Sequence, residues 1–153
     1  HADVYQLHRE PTDWSWKLND EPLELALQPS KASVGPVALK LEVSDSIGDE
    51  RVRTMLGKQC EIWSLSAKLP KLDAISTRAD LEHFRVSIRD ALNKLAQRVG
   101  NNGEVHVFAA IPVSVAIELG RCWMQHAHPS LLMYNRELGN ADVHRHTITA
   151  RNM

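Results

Sequence analysis

The chain has 153 residues, of which 43% are hydrophobic and 24% charged, with a formal net charge of −1. That is one domain's worth of chain with enough apolar residues for a core, and it lacks the broad basic field that long nucleic-acid polymers require. No stretch approaches the roughly 20 apolar residues of a membrane span, and the start His1-Ala2-Asp3 has neither an initiator Met nor the apolar region of a signal peptide.

Residues 1–36 read as a Trp-rich extension punctuated by Pro11, Pro22, Pro29 and Pro36, with short strands expected over residues 3–7 and 23–27. From residue 37 the pattern is regular. Residues 37–43 read as a strand. Residues 48–58 read as a short helix with Val52, Met55 and Leu56 on one face and Gly57 as its stop. Residues 61–65 are a second strand, followed by a loop containing Pro70. Thr77-Arg78-Ala79-Asp80 then opens the clearest helix with a capping box in which Asp stands where Glu or Gln is usual. Its apolar stripe is Leu81, Phe84, Ile88, Ala91, Leu92, Leu95 and Val99, and Gly100-Asn101-Asn102-Gly103 ends it. Residues 104–111 read as a buried strand that turns at once into a helix over 112–125. Pro112 suits its first turn, and Val115, Ala116 and Leu119 repeat at helical spacing. Strands are expected again over 131–135 and 144–150. Strands alternating with helices predict an α/β, Rossmann-like parallel sheet flanked by helices.

Open parallel sheets bind ligands at the carboxyl ends of their strands, where the strand order switches. Three segments meet that condition. Ser44-Asp45-Ser46-Ile47-Gly48 offers hydroxyls, a carboxylate and a flexible Gly for ribose or phosphate groups, or uses Asp45 or Ser46 simply to cap the next helix. Ala110 to Ser114 is a tight strand-to-helix junction that aims backbone N–H groups at the sheet edge. Residues 66–77 carry Lys68 and Lys71, and Arg78 follows; these cations suit phosphates or a solvated loop. Trp14 and Trp16 point the same way in an extended segment, fit to stack on a base or to cover the edge of the core, whereas Trp63 and Trp123 read as core. Cys60 and Cys122 lack metal spacing and read as reduced core thiols of a cytoplasmic protein. His126 with His128, and His144 with His146, lack the further ligands of a zinc site. No nucleophile elbow, phosphate-binding loop or dinucleotide fingerprint is present, so nothing argues positively for catalysis.

His106-Val107-Phe108-Ala109-Ala110-Ile111-Pro112, then Ala116, Gly120-Arg121 and Pro129-Ser130-Leu131-Leu132-Met133-Tyr134-Asn135, resemble the C-terminal signature of SAVED domains, sensor domains of bacterial antiphage (CBASS-type) defence systems. The likeness extends over about residues 37–136 and takes in the 39–47 strand and loop, Ile62-Trp63 and the Asp80-Leu81…Phe84 helix start. It implies that residues 37–153 are the C-terminal CARF-like unit of such a domain, and that residues 1–36 are an extension or the end of a preceding unit. It also implies a cyclic di- or trinucleotide as activating ligand, no other cofactor, self-association on binding, and a fused nuclease, TIR or protease effector. By the same resemblance, Ser44, Asp45, Ser46, Ala110 and Pro112 contact the ligand and Trp14 or Trp16 stacks on a base; the strand-end segments add Ile47, Ser114 and Arg78 as candidate ligand-binding residues. The chain departs from the pattern in being short for two complete units and in showing no effector, as an excised piece of a longer protein would. Two other readings stand beside the sensor: an enzyme that degrades the cyclic signal, and a pure assembly module.

Overall fold

The computed structural model describes residues 8–9, 12–13, 16, 23–137 and 140–150. The expected strand over 3–7 and Trp14 lie outside the described residues. The strands are β1 (His8–Arg9), β2 (Thr12–Asp13), β3 (Leu25–Gln28), β4 (Val37–Glu42), β5 (Glu61–Ala67), β6 (Glu104–Ala110), β7 (Ser130–Glu137) and β8 (Asn140–Ala150). The helices are α1 (Asp49–Leu56), α2 (Arg78–Val99) and α3 (Val113–Cys122). Strands β1 and β2 pair with each other, and the other six form one sheet in the order β3-β5-β4-β6-β7-β8.

The four inner strands β5, β4, β6 and β7 run parallel, as the alternation of strands and helices predicts. The edge strands β3 and β8 run antiparallel to their neighbours. For β8 the reason is chain length: parallel pairing needs a crossover of about a dozen residues, and β7 ends at Glu137 where β8 begins at Asn140.

Alternation along the strands divides the core in two. Leu39 and Leu41 of β4, Trp63 and Leu65 of β5, and Val105 and Val107 of β6 join the main cluster, with Leu81, Phe84, Ile88, Ala91, Leu92 and Leu95 of α2. On the other face Ala38, Phe108 and Tyr134 pack with Ile47, Cys60 and Val52 of α1. The Phe108 and Tyr134 rings stack at a centroid distance of 4.6 Å. Cys60 and Cys122 are buried and free, and burial raises both thiol pKa values. Trp16 packs partly buried against the main cluster, Trp63 belongs to it, and Trp123 lies at its margin with its indole N–H on the Pro129 carbonyl at 2.8 Å.

The α2 stripe is the one read from periodicity, and the Thr77 capping box forms with Asp80 as its acid partner. Two smaller helical expectations change. Met55 of α1 is 38% exposed, so Val52 and the partly buried Leu56 carry the packing there. In α3 the buried face is Ser114, Val115, Glu118, Leu119 and Cys122, while Ala116 faces solvent. Glu118 is buried on this face because α3 packs on Arg85 of α2: Arg85 Nε donates to Glu118 at 2.9 Å, and Arg121 of α3 also donates to it at 2.9 Å.

The turn after α3 is held by His128, which is buried. Its Nδ1 accepts the Met124 N–H at 2.9 Å, so Nε2 carries the proton and donates to Asn93 Oδ1 at 2.9 Å. Burial first, then the charge of Arg89, lowers the His128 pKa. The unfolded chain therefore takes up this proton at a higher pH than the folded one. The His128 contribution is complete above the ordinary histidine range and is lost as pH falls toward the lowered folded value. Urea titrations from about pH 7 to about pH 5 will show declining stability. A His128→Gln variant will show a shallower decline; an unchanged slope would remove His128 from the explanation.

Candidate functional site

The inner strand order switches direction between β4 and β6. From β4 the chain leaves outward through α1 to β5, and from β6 it leaves the opposite way through α3 to β7. Such a divergence opens a crevice at the strands' carboxyl ends. Here the loops around it are tied together by backbone hydrogen bonds. The N–H groups of Val43 and Ser44 donate to the Ala110 carbonyl at 3.1 and 2.8 Å, and the Lys71 N–H donates to the Val43 carbonyl at 3.1 Å. The segments after β4, β5 and β6, recognised separately in the sequence, therefore meet at Val43–Ser44.

Ser44 is half-buried, and Asp45 and Ser46 are exposed on the rim. Asp45 Oδ1 accepts the Ser46 N–H at 2.8 Å. Neither residue caps α1, whose N-cap is Gly48 with no side-chain cap. Pro112 holds the equivalent place before α3, again with no side-chain cap, rather than lying inside the first turn. Both helices starting at the crevice thus begin at residues that cannot cap them by side chain.

The remaining predicted residues are distributed as follows. Ala110 contributes its carbonyl to the lacing just described. Ile47 is 1% exposed, with its side chain in the second core cluster. Ser114 is also 1% exposed, on the packed side of α3. Arg78 is exposed at the first residue of α2, the helix that follows β5 in the chain. Lys68 pairs with Glu24 at 3.2 Å. Trp16 lies against the main core cluster, which is the core-covering one of its two readings.

Sequence reasoning missed Lys40 and Glu42, which lie beneath the 43–48 loop. Lys40 Nζ donates to the Ile47 carbonyl at 2.8 Å and pairs with Asp49 at 2.9 Å. Glu42 accepts from the Ile47 N–H at 2.6 Å and from Ser66 Oγ at 2.8 Å. The available signal was two charges, two residues apart, inside an otherwise apolar strand. His106 bonds the Tyr134 hydroxyl through Nδ1 at 2.8 Å. No group of His, Cys, Asp and Glu suited to a metal occurs among the described residues, and no helix among them is long and apolar enough to cross a membrane.

A family model described as "SMODS-associated and fused to various effectors sensor domain" (SAVED) matches residues 1–149. The chain belongs to the SAVED family. Two solved SAVED structures from Acinetobacter baumannii are similar to it. The Cap4 SAVED/CARF-domain containing receptor with the cyclic trinucleotide 2'3'3'-cAAA aligns at a TM-score of 0.56 and 11% identity, covering 88% of this chain and 28% of the receptor. A second structure of the Cap4 SAVED/CARF-domain containing receptor aligns at a TM-score of 0.51 and 13% identity, covering 85% of this chain and 26% of the receptor. This SAVED chain thus spans about a quarter of the receptors it matches, and at these identities the likeness is one of fold. No curated protein sequence matches it.

Proposed function

We propose that this SAVED domain senses a cyclic oligonucleotide, a di- or trinucleotide, bound in the crevice between the segments following β4 and β6. Residues 37–153 are then the C-terminal CARF-like unit of the sensor. Binding drives self-association and turns on a fused effector in the cytoplasm. The observation that supports the reading is the switch in strand order between β4 and β6, with the loops that follow them tied together. Three loops are laced at Val43–Ser44, and two helices begin there at Gly48 and Pro112 without side-chain caps. First-turn N–H groups of helices favour anions such as phosphate. Ser44, Asp45 and Ser46 supply groups for ribose hydroxyls, and the exposed Arg78 is the proposed partner of a phosphate. A ligand described for the similar receptor, a cyclic trinucleotide, is of the same chemical class.

The test is calorimetry and thermal shift on the full-length protein with cyclic di-, tri- and tetranucleotides, 2'3'3'-cAAA included. A ligand at a hundred times its Kd stabilises the folded state by about 2.7 kcal/mol. One ring size is expected to bind, and Asp45→Ala and Ser44→Ala are each expected to weaken it by about tenfold, the value of one good hydrogen bond. Arg78→Ala is expected to reduce both affinity and its salt dependence. Binding to none of the panel would overturn the sensor reading. Release of linear nucleotide would replace it with a degrading enzyme.

A further inference from the structure

Lys40 and Glu42 stand two residues apart on β4, so both project from the α1 side of the sheet. Their side chains are only 12% and 10% exposed, unusual for charged groups in the middle of a parallel sheet. Between them they hold both backbone groups of one residue. Glu42 Oε2 accepts the Ile47 N–H, and Lys40 Nζ donates to the Ile47 carbonyl. Each also has a tie elsewhere. Glu42 Oε1 accepts from Ser66 on β5, which joins the 43–48 loop to the neighbouring strand. Lys40 Nζ meets Asp49 in the first turn of α1 and lies 3.5 Å from Glu42 Oε1.

A strand that needed only to pack would carry apolar residues at these positions, because a buried charge is costly even when paired. We propose that Lys40 and Glu42 are positioning residues that preorganise the 43–48 loop for an anionic ligand. They fix the Ile47 peptide, which leaves Ser44, Asp45 and Ser46 as a short tab with both ends anchored: one on Ala110, the other on this pair. Lys40 has a second effect. At 2.9 Å it is the nearer of two cations, with Arg53 at 3.8 Å, that offset the Asp49 carboxylate, which is 47% exposed at the start of α1 and would repel an anion. Neither residue is itself a ligand contact. The ligand's charge is taken from the sensor reading above; the clamp on Ile47 stands independently of it.

Two measurements on the full-length protein separate the two ideas. Hydrogen exchange over residues 43–48 without ligand reads the clamp. Glu42→Met removes both acceptors and is expected to speed exchange there by about tenfold while leaving β6 unchanged. Glu42→Gln keeps an acceptor for Ile47, guards against a variant that fails to fold, and is expected to fall between. Calorimetry with 2'3'3'-cAAA and the other cyclic di- and trinucleotides reads the consequence. Lys40→Met is expected to weaken the bound ring by about tenfold, less so at high salt, and adding Asp49→Asn is expected to recover part of that loss. Unaltered exchange in both Glu42 variants overturns the clamp, whatever the wild type binds. Faster exchange in a protein that binds no cyclic nucleotide upholds the clamp and sinks the sensor reading. Binding by Lys40→Met at wild-type strength removes the electrostatic half of the proposal.

Discussion

Replacing Asp80 with Ala is expected to lower stability by about 3 kcal/mol, since each buried donor left without a partner costs about 1–3 kcal/mol. Asp80 is 3% exposed. Its carboxylate accepts three backbone N–H groups: Leu23 at 3.1 Å, Ser76 at 3.0 Å and Thr77 at 2.9 Å. The Ser76 hydroxyl adds a fourth contact at 3.3 Å. The residue therefore caps α2, closes the end of the loop that follows β5, and holds the chain entering β3. In a chain of this size 1 kcal/mol moves Tm by about 2–4 °C, so thermal unfolding is expected about 10 °C lower. Asp80→Asn keeps one carbonyl oxygen and is expected to lose about half as much. Thr77→Ala removes only the hydroxyl that accepts the Asp80 N–H at 3.1 Å, and about 1 kcal/mol is expected. If Asp80→Ala and Thr77→Ala prove equally mild in urea, the Leu23 and Ser76 contacts contribute nothing.

The second large effect belongs to Glu118. Its side chain is 1% exposed and bonds Arg85 and Arg121, whose own side chains are 27% and 31% exposed. Burial pushes the Glu118 carboxyl up, but the hydrogen bonds and charges of Arg85 and Arg121 outweigh it and hold its pKa below the usual value. The Arg85 guanidinium is held more firmly protonated by the same bond. Removing one member of a buried ion pair costs about 3–5 kcal/mol. Both arginines can turn to solvent here, so Glu118→Gln is expected to cost about 2 kcal/mol at neutral pH. The pH dependence has a definite sign. A lowered folded pKa gives stability that is complete above the ordinary glutamate range and is lost as pH falls through the lowered value. The gap between wild type and Glu118→Gln is therefore expected to narrow in acid. A gap that stays constant from neutral pH down into the acid limb would mean that charge at this position is irrelevant.

These two carboxylates differ in how far the sequence announces them. Asp80 stands three residues after Thr77 ahead of an apolar stripe, and that local pattern suffices to predict a capping box. Its bond to Leu23, 57 positions away, has no local signature. Glu118 looks like a solvated charge on a short helix. Only the packing of α3 across Arg85 of α2 makes it a buried partner.

Periodicity by itself determined the four parallel strands, the helices between them and the α2 stripe, because each follows from residues close together in the chain. The SAVED likeness was legible in residues 104–135 for the same reason. The three candidate segments could be named from the rule about strand ends, without knowledge of which strands are neighbours. That β4 and β6 lie side by side, so that Val43 and Ser44 reach the Ala110 carbonyl, was decided by strand order. Burial was decided there too. Ile47 and Ser114 sit in segments that look ligand-facing, yet their side chains are packed away. Lys40 and Glu42 interrupt an apolar strand for no local reason, and their role emerges only when the 43–48 loop folds back over them. A chain's local pattern specifies which face each element buries; which distant groups then meet across those faces is set by how the elements pack.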